Sequence, residues 1–220
     1  MENKREVRFL QMEVRAEEND ERGAVITGYP IVFNQETDLG FVREIIEPES
    51  VEDRGVLRDV ALMVGHDFGM IPLAHSRRNN ENSTMQLEPD EHGVKMRAVL
   101  DVGGNPKAAE VYSAIRRGDV SGMSFAFIVN KEAWEDMDSD KPLRRIQGFS
   151  RIFECSVVAF PAYPGTSVQA ASEGDALESV RAALDSERKR IADERAAEAE
   201  QERRTAALER LEKLMEEARA

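Results

Sequence analysis

The sequence predicts a mostly β domain with flanking helices, an α+β fold, followed by a long charged helix. Three observations carry that prediction. Short segments of alternating polarity, separated by turn residues, fill the chain up to about residue 170. One segment between them has helical period and caps at both ends. Beyond Ser167 the sequence becomes rich in Ala, Glu and Arg, with no Gly or Pro after Gly174.

Glu6 to Val14 alternates as a strand, as do Gly23 to Phe33 and Phe41 to Ile46. Pro48 to Asp53 reads as a short helical turn, with proline early where its missing N–H costs nothing. Val60 to Val64 is a brief apolar strand that delivers His66. Thr84 to Glu88 and Val94 to Leu100 flank Pro89-Asp90-Glu91-His92-Gly93, a hairpin signal. Asn105-Pro106 opens a helix as N-cap and first helical residue, with Ala108, Val111, Tyr112 and Ile115 on its buried face. Arg116-Arg117 complement its dipole and Gly118 stops it. Two more strands follow, at Met123 to Val129 and Arg151 to Phe160, with Lys131 to Pro142 expected as a polar, acidic loop. A closed or nearly closed barrel is the economical way to protect so many strand edges. The expected division is a domain over residues 1–170 and a helical extension over 171–220.

In the extension, Leu177, Val180, Leu184 and Ile191 share a face that Glu187, Glu194 and Glu198 interrupt. Leu208, Leu211 and Met215 resume it in a shifted phase. A long solvated helix fits this pattern best, with an oligomeric coiled coil as the alternative, because the heptads are broken.

Composition narrows the function. The 220 residues have 41% hydrophobic content, enough for a core, and a formal net charge of −13. That balance argues against a nucleic-acid partner, which would require clustered Lys and Arg. The single cysteine, Cys155, excludes an intramolecular disulfide and sits in an apolar run, where free Cys packs as a small hydrophobe. The N-terminus does not read as a signal peptide, and no run approaches the ~18 apolar residues of a membrane span. The expectation is a soluble cytosolic protein without a membrane partner.

The chemistry centres on three side chains. Ser124 lies in Gly118-Asp119-Val120-Ser121-Gly122-Met123-Ser124-Phe125-Ala126-Phe127, where a polar turn runs into an apolar strand. Ser121 is its nearest competitor. Of the three histidines, His92 falls in a solvated hairpin turn and His75 is an alternative base. His66 follows an apolar strand and Gly65, which places its ring at a strand end. Glu154, amid Ile152, Phe153, Val157 and Val158, is costly to bury unpaired, so it either faces solvent by strand alternation or pairs with a cation. Asp67 is the runner-up as a carboxylate for His66. Hydroxyl, imidazole and carboxylate are the parts of an activated serine nucleophile. Scattered histidines and no cysteine pair give no metal-ligand spacing, and no cofactor is called for.

Five segments, in order, resemble the HK97-type prohead serine proteases of tailed bacteriophages. They are Gly28-Tyr29-Pro30-Ile31-Val32-Phe33-Asn34 with Glu44-Ile45-Ile46; Gly65-His66-Asp67; Ile115-Arg116-Arg117-Gly118; Ser121-Gly122-Met123-Ser124-Phe125; and Glu154 through Pro164, ending Phe160-Pro161-Ala162-Tyr163-Pro164. The resemblance covers roughly residues 6–168. It implies an assemblin-like β-barrel core and a serine endopeptidase acting inside the procapsid in the host cytoplasm. Its substrates would be the scaffolding region of the major capsid protein and the enzyme itself. It assigns Ser124 as nucleophile and His66 as general base, with Glu154 at the third position. The herpesvirus relatives use a second histidine there, which keeps His75 open. Arg144, Arg145, Arg151 and backbone amides near Ser124 are the candidate oxyanion donors. The extension would be a targeting or scaffold-like segment, and a homo-oligomer is compatible. The competing reading is a non-enzymatic assembly or scaffolding protein.

Overall fold

Period-two alternation becomes eleven strands in the computed structural model, which describes residues 5–10, 14–20, 23–159 and 173–217. In chain order they are β1 (Glu6–Leu10), β2 (Arg15–Asp20), β3 (Gly23–Val32), β4 (Thr37–Asp38), β5 (Arg43–Ile46) and β6 (Ala61–Val64). Then come β7 (Ala74–His75), β8 (Met85–Pro89), β9 (Gly93–Leu100), β10 (Gly122–Glu135) and β11 (Leu143–Val158). Two short 3-10 turns, Pro48–Val51 and Arg54–Leu57, link β5 to β6. Helix α1 is Pro106–Arg117 and helix α2 is Glu173–Glu217. The chain divides into compact units at 1–179 and 180–220.

In the first unit the strands form two sheets. One has seven strands, running β1-β10-β11-β5-β4, with β6 paired to β11 and β7 to β6. The other runs β2-β3-β9-β8. This corrects the expected barrel: among the described residues no ladder joins the sheets into a closed cylinder. The edges are managed locally instead, by a two-residue β4 and by Arg15 and Glu17 on β2.

The long hairpin β10–β11 organises the larger sheet. It begins in a core of Met123, Phe125, Phe127 and Cys155, all fully buried. Phe125 stacks on Phe127 at 4.6 Å, and Phe149 meets both edge-on at 6.0 and 5.0 Å. The loop at Lys131–Pro142 is shorter than expected: β10 continues to Glu135, and the connection is 136–142 before β11 begins at Leu143. Composition misleads there because cross-strand ion pairs, Arg145 to Glu135 and Arg144 to Glu132, both 2.7 Å, replace apolar contacts. Strand Arg15–Asp20 was not expected; of the expected strand Glu6 to Val14, Glu6–Leu10 forms β1 and residues 11–13 lie outside the described residues. Phe160 and the segment to Pro164 lie outside the described residues.

The β8–β9 hairpin forms as expected, and Gly93 is required in it. A Cβ there would stand 2.1 Å from the Ile31 carbonyl oxygen, too close for any side chain. Helix α1 also matches its sequence signals. The Asn105 side chain accepts from the N–H groups of Lys107 and Ala108, and Gly118 closes the helix at φ 78°. Asn105→Ala should therefore cost about 1 kcal/mol, read as a lower urea midpoint at unchanged slope.

Helix α2 is 45 residues long, which at 1.5 Å per residue is about 67 Å. Glu187 and Glu194, read from sequence as interruptions, pair with Arg190 at 2.5 Å each. Leu208, Leu211, Leu214 and Met215 are more than half exposed.

Candidate functional site

Strand β11 brings the polar groups together because it has neighbours on both sides. On one edge it pairs antiparallel with β10, setting Ser156 opposite Ser124 and Glu154 opposite Ala126. On the other it pairs parallel with β6, setting Glu154 beside Ala61 and Ser156 beside Met63. Directly paired residues, and residues two apart, share a face of a sheet. Ser124, Ser156 and Glu154 therefore lie on one face, while Phe125 and Cys155 point to the other.

His66 reaches this face through a turn. Gly65 and His66 have φ of 58° and 61°, and Asp67 N–H donates to the Val64 carbonyl at 3.2 Å. Two consecutive positive φ values are the requirement of a type I′ turn. Glycine adopts the first freely, but histidine in the left-handed region is strained, and such strain persists only where contacts over-determine it. Two contacts do so. His66 N–H donates to Ser156 Oγ at 3.0 Å, and His66 Nδ1 lies 2.8 Å from Glu154 Oε1.

Glu154 is fully buried, and both of its oxygens are engaged. Oε1 faces the His66 ring, and Oε2 accepts from the Ser156 hydroxyl at 2.5 Å. With Nδ1 committed to the carboxylate, proton transfer by this imidazole falls to Nε2. The carboxylate fixes both the ring's tautomer and its direction.

Ser124 sits one strand away from this cluster. It is fully buried, and its hydroxyl donates to the backbone carbonyl of Arg8 at 2.6 Å rather than to His66. The structure thus joins His66 with Glu154 and sets Ser124 beside Ser156, without a hydrogen bond between Ser124 and His66.

The remaining candidates have other roles. His75 Nδ1 accepts from the Arg77 N–H at 3.0 Å, and its Nε2 lies 3.6 Å from Asp59. Asp67 is exposed and caps its own turn through Gly69 N–H at 2.9 Å. Ser121 is exposed ahead of β10, and its carbonyl accepts from Val14 N–H. His92 lies in the β8–β9 turn against Tyr29. Burial, and then the Glu154 charge, push the Cys155 thiol well above its ordinary range, which leaves it an inert core residue. Arg145 pairs with Glu135 and Glu47, and Arg151 stacks on Phe153 at 4.7 Å.

Arg144 belongs to a buried ionic cluster that sequence reading did not anticipate. It contacts Glu6 at 2.7 Å, Glu44 at 3.0 Å and Glu132 at 2.5 Å. Arg8 contacts the same Glu6 and Glu44, at 2.5 Å each. Burial alone would raise the Glu6 pKa, but the charge of Arg8 and the hydrogen bond from Arg144 override it and hold the carboxyl below its usual range. A carboxyl lowered in this way stabilises the fold above its unfolded pKa of ~4.3 and loses that contribution as pH falls further. Ser156 was also missed as a site residue. Its available signal was its place two residues after Glu154, on the same face of one strand.

The caudovirus prohead serine protease family matches residues 10–179. A prohead protease of Enterobacteria phage HK97 is 27% identical over 164 residues, covering 74% of this chain and 66% of that protein. This chain thus spans just under two thirds of that relative's length. No solved structure matches.

Proposed function

Because the chain belongs to the caudovirus prohead serine protease family, we propose that it is a serine endopeptidase of capsid maturation, with Ser124 as nucleophile, His66 as general base and Glu154 as the carboxylate that orients His66. The observation that carries this assignment is the 2.8 Å contact between His66 Nδ1 and buried Glu154. A buried carboxylate on one imidazole nitrogen, held at a strained turn, is costly to maintain and is what a general base requires.

The reaction is acyl transfer. Ser124 Oγ attacks the scissile carbonyl carbon as its proton passes to His66 Nε2. The C–N bond breaks as that proton goes to the leaving amine. Water then hydrolyses the ester, again with His66 as base, and restores Ser124. Glu154 stabilises the imidazolium formed in each half. Arg144, already engaged by three carboxylates, is a poor oxyanion donor. Backbone N–H groups around Ser124 are the better candidates. The proposed substrates are the scaffolding region of the major capsid protein and the enzyme itself, cut inside the procapsid. The proposed division of labour is a protease domain over 1–170 and a targeting extension over 171–220.

Co-expression with the capsid protein tests the assignment. Ser124→Ala and His66→Ala should each abolish capsid-protein cleavage and self-cleavage while proheads still assemble, and Cys155→Ala should cleave normally. Cleavage surviving in both Ser124→Ala and His66→Ala would overturn it.

A further inference from the structure

We propose that the N-terminal strand β1 is a detachable plug, lying on the edge of β10 where an extended substrate peptide pairs beside Ser124, and that catalysis requires it to leave. The inference rests on the reading of Ser124 as nucleophile.

It starts from a conflict. Ser124 is fully buried, and its hydroxyl proton is directed at the Arg8 carbonyl. In that state it has neither access to a substrate nor a base on its proton. The element responsible is β1, which pairs antiparallel with β10 in a register running from Glu6 opposite Phe127 to Leu10 opposite Met123. Phe9 stands directly across from Ser124, and the preceding peptide carbonyl lies 2.6 Å from its Oγ. An extended chain with a peptide carbonyl at the nucleophile is the arrangement that a bound substrate strand would present. Strand addition to a sheet edge is a general mode of peptide binding, with main-chain bonds supplying affinity and alternate side chains supplying specificity.

The attachments of β1 suit departure. It is five residues long, and among the described residues β10 is its one sheet neighbour. It brings one acid, Glu6, and one base, Arg8, into the ionic cluster, so its exit removes no net charge. The groups left behind stay paired, with Arg144 retaining Glu44 at 3.0 Å and Glu132 at 2.5 Å. The exit does vacate the Arg8–Glu44 and Arg144–Glu6 contacts, and these are the contacts an incoming strand can restore.

The same cluster names the ligand. A peptide taking this edge meets Glu44 where Arg8 now donates, at 2.5 and 2.8 Å, and Arg144 where Glu6 now accepts. The favoured substrate is therefore an extended peptide with an acidic residue, then a basic residue two positions later, just before the site of attack.

Two measurements on the full chain test the plug. The first is amide hydrogen exchange. β1 and its partners at 123–127 should exchange together through a partial opening, faster than β3 and β9. Exchange of β1 only with global unfolding overturns the proposal, whatever Ser124 does. The second is labelling of Ser124 by a fluorophosphonate probe, whose rate scales with the fraction of molecules in which β1 is off. The double variant Glu6→Gln with Arg8→Gln should label at least about tenfold faster than the parent chain. Should that variant fail to fold, a cross-strand pair serves instead, Val7→Cys with Ala126→Cys at directly opposed positions. Its oxidised form should resist labelling and its reduced form should label. Equal labelling of both forms overturns the plug. An inert Ser124 in every form, with β1 opening freely, removes the nucleophile assignment and leaves the plug standing.

Discussion

Glu154→Gln should lower kcat by about 10⁴-fold with little change in KM, as expected when the group that orients a catalytic imidazole is made neutral. The amide cannot hold a proton on Nδ1 as the carboxylate does, and it cannot stabilise the imidazolium. Ser156→Ala should lie between this variant and the parent. It leaves a Glu154 oxygen and the His66 N–H without their buried partner, a loss of about 1–3 kcal/mol. Spent on the transition state, that is roughly a 10- to 100-fold drop in kcat. Steady-state kinetics on a capsid-derived peptide would measure both. A Glu154→Gln enzyme within about tenfold of the parent would show that Glu154 does not orient the base.

Arg144→Met should be the most damaging single change to stability outside the apolar core. Two arginines and three glutamates share the cluster, and Arg144 touches all three carboxylates. Its loss leaves buried Glu6 and Glu44 sharing Arg8 alone. Breaking a buried pair from one side costs about 3–5 kcal/mol, which for a domain of this size lowers Tm by roughly 10 °C. Glu132→Gln is the control, because that side chain is 25% exposed and water can replace its partner. Its Tm should move by at most a few degrees. Equal Tm losses in the two variants would contradict this account of the cluster.

The sequence made the local elements legible wherever one short-range rule determines them. Asn105, Pro106 and Gly118 bracket α1, and the turn at Asp90 to Gly93 marks the β8–β9 hairpin. His66 and Glu154 stood out as candidates because a histidine after a glycine turn and a carboxylate in an apolar strand each call for an explanation. What was not legible depends on partners distant in the chain. Arg144 and Glu6 are 138 residues apart, and Glu6 reads as an ordinary polar position of an alternating strand. The extension of β10 through Lys131 to Glu135 looks like a loop until Arg144 and Arg145 are placed across from it. Ser156 passed as a small residue in a core strand because its two hydrogen bonds exist only once β6 lies alongside. Barrel closure was inferred from the number of edges to protect, whereas among the described residues short and charged strands protect them without a ladder that closes the sheets.

Strand β11 also sets the timing of folding. It pairs with β10, β5 and β6, and it runs over residues 143–158. Its parallel partners at 43–46 and 61–64 were made about a hundred residues earlier. During synthesis those segments leave the ribosome and wait, each with one sheet edge unmatched, until β11 arrives. Pairing across such separations is slow and exposes intermediates to aggregation. The same delay means that Glu154, Ser156 and His66 cannot meet until nearly the whole domain exists. Under the proposed assignment, the order in which the strands are translated thus keeps the base apart from its carboxylate until β11 is made.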